Sequence, residues 1–191
     1  MFDIPLPEDA RLDIAKLTAV FGDTTNSYKF YWLLAILESL EISSNNRVTL
    51  RELSLLMMAG VWYPLDYFKL SFGKQDGFKP IADTISSYLT VDNRPTAPSL
   101  LAQLKLSLSS TELEMLYKQV GELLRWVPYR FIRPFFASET RGLPEHKVNG
   151  RIAELAATSA RAPYRLTNGA IEIHDAWADY LRSHSSILGV V

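Results

Sequence analysis

The chain has 191 residues, 48% hydrophobic and 21% charged, the balance of a globular core and not of a disordered segment. Its net charge of −1, from 20 basic and 21 acidic residues, excludes global attraction to nucleic acid, so any such contact must come from local clustering. Cysteine is absent, which excludes disulfides, thiolate zinc sites and cysteine nucleophiles and fits a reducing compartment.

The N-terminal run Met-Phe-Asp-Ile-Pro-Leu-Pro-Glu-Asp is acidic and proline-bearing, the wrong pattern for a signal peptide. The apolar stretches at 30–37 and 53–65 are too short to span a bilayer. A cytoplasmic location is expected. A first helix is expected to start near Pro7, with Glu8 and Asp9 at the positive end of its dipole. Ile14, Leu17 and Phe21 follow at helical spacing, and Gly22 is its stop. Residues 26–38 read Asn-Ser-Tyr-Lys-Phe-Tyr-Trp-Leu-Leu-Ala-Ile-Leu-Glu, apolar nearly all the way round. That pattern predicts a buried central helix running to about Ile42.

Thr49 and Glu52 form a capping box, with Val48 placed to staple onto Leu53, and the helix they open is expected to end near Gly60. Pro64, Gly73 and Gly77 make residues 62–77 a structured loop. A helix fits 80–89, and 90–98 is the most linker-like segment. A short helix over 100–108 precedes a second capping box, Ser109 with Glu112, which opens an amphipathic helix through Val127 that Pro128 ends. Pro134 limits any helix over 129–136. Pro144 opens a helix to about Ser159. Asn168-Gly169, between two short β-prone runs, predicts a hairpin over 164–173. Asp175 caps a last helix carrying Trp177, Tyr180, Leu181, His184 and Leu188 on one side. The expected fold is a single, mainly α domain over 1–191 with one small hairpin. Residues 144–191 form a candidate helix–hairpin–helix subdomain.

His146, His174 and His184 stand at no metal-binding spacing, and no carboxylate completes a zinc motif. The run Phe72-Gly-Lys-Gln-Asp-Gly77 lacks the ending and the preceding strand of a phosphate-binding loop. Lys69 and Lys74 nevertheless lie beside Tyr67, Phe68 and Phe72, a mix that stacks bases and neutralises phosphates. The same mix recurs at 125–133, where Arg125, Arg130 and Arg133 interleave with Trp126, Tyr129 and Phe131. One reading is a nucleic-acid backbone contact or docking surface. The other, favoured because aromatics bracketing a proline usually pack, is a helix end whose aromatics enter the core. Helix 144–159 with its hairpin is a weak echo of a winged helix, with Lys147, Arg151, Arg161 and Arg165 as its phosphate contacts.

Residues 25–38 and 62–76, with 127–136 and the closing Trp177-Ala-Asp-Tyr-Leu, resemble the N-terminal region of bacterial HNH-endonuclease-domain proteins, over almost the whole chain. The resemblance implies an accessory role, because in that group the nuclease motif follows the Trp-Tyr-Leu helix and is not contained in these residues. No catalytic residue carries over, and a divalent metal is expected only in such an HNH module. The functional expectation is a non-catalytic domain that positions DNA, or a partner protein, for a separate nuclease module in a defence setting. Its contact residues would be Arg125, Arg130, Arg133, Lys69 and Lys74. The alternative is a protein-interaction or oligomerisation module using the aromatic surfaces around Trp62 and Trp126.

Overall fold

The computed structural model describes residues 6–22, 28–66, 83, 86, 87 and 97–189. These form a mainly α protein with a small antiparallel sheet. Helix α1 spans Ile14–Ala19, and its N-cap is Asp13, whose carboxylate accepts from the Lys16 amide. The expected start near Pro7 is therefore too early. Asp9 turns back to pair with Arg11 at 2.8 Å instead of serving a helix terminus.

Helix α2, Tyr28–Ile42, is the expected pillar, burying Trp32, Leu33, Ala35, Ile36, Leu37 and Leu40. Strand β1, Arg47–Thr49, leads directly into helix α3, Leu50–Asp66. The capping box forms as read: the Thr49 amide donates to Glu52 Oε2 at 3.1 Å, and the Glu52 amide donates to Thr49 Oγ1 at 3.1 Å. The expected end near Gly60 is wrong, because the helical backbone continues to Asp66. Leu53, Leu56, Met57 and Val61 are all buried, and that packing holds the helix together across a glycine that propensity alone would make a stop. Gly60 faces Tyr31 of α2, at 3.8 Å from where a Cβ would stand.

Asp83, Ser86 and Ser87 are helical, within the helix expected over 80–89. Helix α4 is Ala97–Ser107, so it begins inside the linker-like segment, whose residues 90–96 lie outside those described. Helix α5, Ser110–Leu123, carries the second capping box at Ser109 and Glu112. Pro128 does not simply end that helix. It occupies the first turn of a new one, α6, Val127–Ile132, where a missing N–H leaves no bond unmade. Pro134 likewise sits at the start of a 3₁₀ turn, Arg133–Phe136, which passes into the short helix α7, Ala137–Thr140.

Helix α8, Glu145–Thr158, starts after Pro144 as read. Strands β2, Tyr164–Thr167, and β3, Ala170–Ile173, pair antiparallel about Asn168-Gly169, with Gly169 at φ +69°. Beyond the expected hairpin, β1 adds a third strand: Arg47, Val48 and Thr49 pair with Glu172, Ile171 and Ala170, giving the order β1-β3-β2. Helix α9, Asp175–Ser183, is followed by α10, Ser185–Leu188. His174, not Asp175, holds its N-cap position, and the Asp175 carboxylate accepts from Asn46 Nδ2 at 2.8 Å.

One hydroxyl ties three of these elements together. Trp32 Nε1 of α2 donates to Tyr164 Oη of β2 at 3.0 Å, and that hydroxyl donates to the Pro128 carbonyl of α6 at 2.6 Å. Phe131 stacks on Tyr164 with centroids 6.2 Å apart, and Phe21 meets Phe131 edge-on at 6.0 Å. From the other end, Tyr180 Oη reaches the Pro7 carbonyl at 2.8 Å, and Arg182 Nη2 donates to Asn46 Oδ1 at 3.0 Å.

Candidate functional site

Helix α6 divides the arginine-aromatic segment by face. Val127, Phe131 and Ile132 are buried, whereas Arg130 is exposed and Arg133 is half-exposed at the start of the 3₁₀ turn. A spacing of three residues puts the two arginines on one side. They line a cleft of about 780 Å³ together with Tyr28 and Lys29 at the start of α2, Ala137 and Thr140 of α7, and the connection Arg141-Gly142-Leu143 to Glu145. Lys29, Arg130, Arg133 and Arg141 against the single carboxylate of Glu145 leave a net charge of +3 among the lining residues described. The size falls within the range of ligand sites, and the charge selects an anion.

The connection has a defined geometry. Arg141 has φ −60° and ψ 128°, Gly142 has φ +77°, and the Leu143 amide donates to the Thr140 carbonyl at 3.2 Å. This is a type II turn, whose third residue requires the left-handed backbone that glycine adopts without strain. It holds Arg141 at the lip of the cleft. The Thr140 side chain is buried and its Oγ1 donates to the Phe136 carbonyl at 2.8 Å, so the hydroxyl supports the turn from beneath.

The cations differ in what they already hold. Lys29 Nζ donates to the Val20 carbonyl at 2.9 Å, at the C-terminal end of α1, where a positive charge complements the dipole. Arg133 makes a bidentate pair with Glu145, Nη1 to Oε1 at 3.0 Å and Nη2 to Oε2 at 3.2 Å. Arg130 and Arg141 hold no carboxylate among the described residues. Arg125 lies outside the cleft, its guanidinium 4.3 Å above the ring of Trp126, which is 40% exposed. The structure thus brings Arg130 and Arg133 together and sets Arg125 on a neighbouring surface. Lys69 and Lys74, with Tyr67, Phe68 and Phe72, lie outside the described residues, as does the side chain of Trp62.

The winged-helix contacts fare differently. Arg165 Nη2 pairs with Glu172 at 2.8 Å and Arg151 with Glu154 at 3.0 Å. Arg161 is held by Glu139, whose carboxyl is lowered to about 2, first by the Ser138 hydroxyl and then by Arg161 itself. Three of those four cations are therefore already neutralised, and only Lys147 stands exposed without such a carboxylate among the described residues. Two buried polar atoms have no hydrogen-bond partner there, Glu38 Oε2 and His174 Nε2. Burial, reinforced by Glu41, pushes Glu38 up to about 7, while burial and then Arg165 push His174 down.

Lys29, Arg141 and Glu145 were not legible as site residues from sequence. The local signal that existed was Arg141-Gly142-Leu143-Pro144, a turn pattern with a cation at its tip. Among the described residues, no group of three His, Asp or Glu side chains is placed to hold a metal ion, and no helix is long and apolar enough to cross a membrane. Comparison with known protein families, curated proteins and solved structures finds no significant match.

Proposed function

We propose that this protein binds the phosphate backbone of DNA through the cleft of Lys29, Arg130, Arg133 and Arg141 and positions it for a separate HNH-type nuclease module in a cytoplasmic defence setting. The observation that carries the reading is charge segregation. In a chain of net charge −1, four cations share one concave site with a single carboxylate among the described residues that line it. Non-specific DNA affinity arises from such local neutralisation of phosphates, and it reports itself through salt. The nuclease setting rests on the resemblance of residues 25–38 and 62–76, and it assigns no chemistry to this chain.

The experiment is fluorescence anisotropy on a labelled duplex over a salt series, comparing wild type with an Arg130→Gln, Arg133→Gln, Arg141→Gln triple variant. The expected result is weaker binding and a salt slope shallower by about 0.9 for each lost phosphate contact. Salt-independent binding, or affinity unchanged in the triple variant with helicity intact, refutes it.

A second reading draws on a different surface. Leu106 of α4 is 87% exposed and Met115 of α5 is 53% exposed, apolar side chains of the kind an interaction module would cover. A stable dimer by light scattering without duplex affinity would favour that reading over the first.

A further inference from the structure

We infer that the cleft is built for a clustered phosphate, either a terminal phosphomonoester or a nucleoside polyphosphate, and that Glu145 is the resident competitor which the ligand displaces from Arg133. The inference rests on the phosphate-binding reading above and narrows its ligand. Its first ground is shape. A duplex spreads its charge along an extended line, about one charge per 3.4 Å on each strand, which a basic stripe would track. Here the cations line a single concave volume, so their charge is gathered in one site. A phosphomonoester concentrates about −1.5 to −2 on one phosphorus, and such a group matches a concave cationic site better than a diester does.

The second ground is the Arg133–Glu145 pair. A guanidinium fork that takes two carboxylate oxygens side by side also takes two phosphate oxygens. Glu145 thus stands where a ligand's oxygens would stand. The pair is easily exchanged: its side chains are 42% and 69% exposed, and solvent screening keeps such pairs weak. The third ground is that Arg130 and Arg141 line the same volume without a carboxylate among the described residues, so a ligand entering there meets two cations with no such pair to break. Arg141 is carried on a turn whose conformation Gly142 fixes. Exchange of Glu145 for a phosphate would therefore add Arg133 to the two guanidinium groups already open to a ligand in the same cleft.

The test is isothermal calorimetry with inorganic tripolyphosphate, alongside anisotropy on duplexes identical except for a 5′-phosphate or a 5′-hydroxyl. Proteins compared are wild type, Glu145→Gln and an Arg130→Gln, Arg141→Gln double variant, all checked by circular dichroism. Tripolyphosphate should bind wild type, bind Glu145→Gln up to about fivefold tighter, as loss of an exposed ion pair allows, and bind the double variant at least about tenfold more weakly. Preference for the 5′-phosphate duplex identifies a nucleic-acid end as the source, tripolyphosphate binding that no duplex competes with points to a free polyphosphate, and competition by both duplexes alike overturns the preference for a clustered phosphate. Absent tripolyphosphate binding, or binding that Glu145→Gln and the double variant leave unchanged, overturns the inference. Duplex binding that persists in that case leaves the backbone reading standing alone. Tripolyphosphate binding with the expected variant effects but no duplex affinity upholds the cleft and refutes the DNA reading.

Discussion

Replacing Tyr164 by Phe removes a single oxygen, yet it strands two buried groups. That oxygen accepts from Trp32 Nε1 at 3.0 Å and donates to the Pro128 carbonyl at 2.6 Å, and both Tyr164 and Trp32 are at most 1% exposed. Each buried group left unsatisfied costs about 1–3 kcal/mol, so the expected loss for the two is about 2–6 kcal/mol from a total stability of about 5–15 kcal/mol. The ring itself keeps its stacking on Phe131, so loss of packing adds little. Urea unfolding followed by tryptophan fluorescence measures the change. With a slope of about 2 kcal/mol per molar, the midpoint should fall by about 1–3 M. Combining Tyr164→Phe with Trp32→Phe should be less destabilising than the sum of the single changes, because donor and acceptor leave together. A midpoint shift below about 0.5 M at unchanged slope refutes the claim that this hydroxyl joins α2, α6 and β2.

Gly142→Ala should destabilise the protein by about 1–2 kcal/mol, the cost of an L-residue in left-handed backbone, and should weaken phosphate binding by shifting Arg141. No atom stands within 4 Å of the added Cβ, so an unchanged melting temperature would disprove the turn assignment. Thr49→Ala removes the cap of α3 and should cost about 1 kcal/mol in chemical denaturation, while Thr49→Ser should retain most of the stability. Glu38 sits at about 7 instead of 4.5 because burial disfavours its charge. The folded state therefore holds the proton more tightly than the unfolded one, and stability present below about pH 4.5 declines as pH rises toward 7. Glu38→Gln should flatten that decline; denaturation series at acidic and alkaline pH that remain parallel for both proteins would contradict it.

The elements legible in the sequence were those specified locally. Ser109 with Glu112, Thr49 with Glu52 and Asn168-Gly169 each contain their own instruction within four residues, and each forms as read. Misreadings arose where a residue taken as a breaker is accommodated, by packing or by its place in a helix. Helix α3 passes Gly60 because its residues are buried on several sides, and Pro128 opens a new helix because its first turn needs no N–H at that position. Strand β1 is three residues long and acquires its identity only from β3, far along the chain. The cleft was half legible. Arg130 and Arg133 share a segment whose periodicity separates them from Phe131, but Lys29, Arg141 and Glu145 join them only through folding. Charge pairing was the hardest to anticipate, since Arg161 meets Glu139 and Arg165 meets Glu172 for reasons of tertiary placement and strand register.

The strand order β1-β3-β2 sets a schedule for synthesis. The central strand, β3, is made last of the three, so β1 emerges with its hydrogen-bonding edge unpaired and remains so until residues 170–173 follow. The indole of Trp32 waits in the same way for Tyr164. An aromatic pillar made early and covered late is an exposed apolar surface throughout elongation, the condition under which nascent chains engage holding chaperones. Nascent chains halted before residue 164 should therefore be captured and insoluble, whereas chains that include both β3 and α9 should be released folded. Quality control of this protein would then act on how much of it has been made.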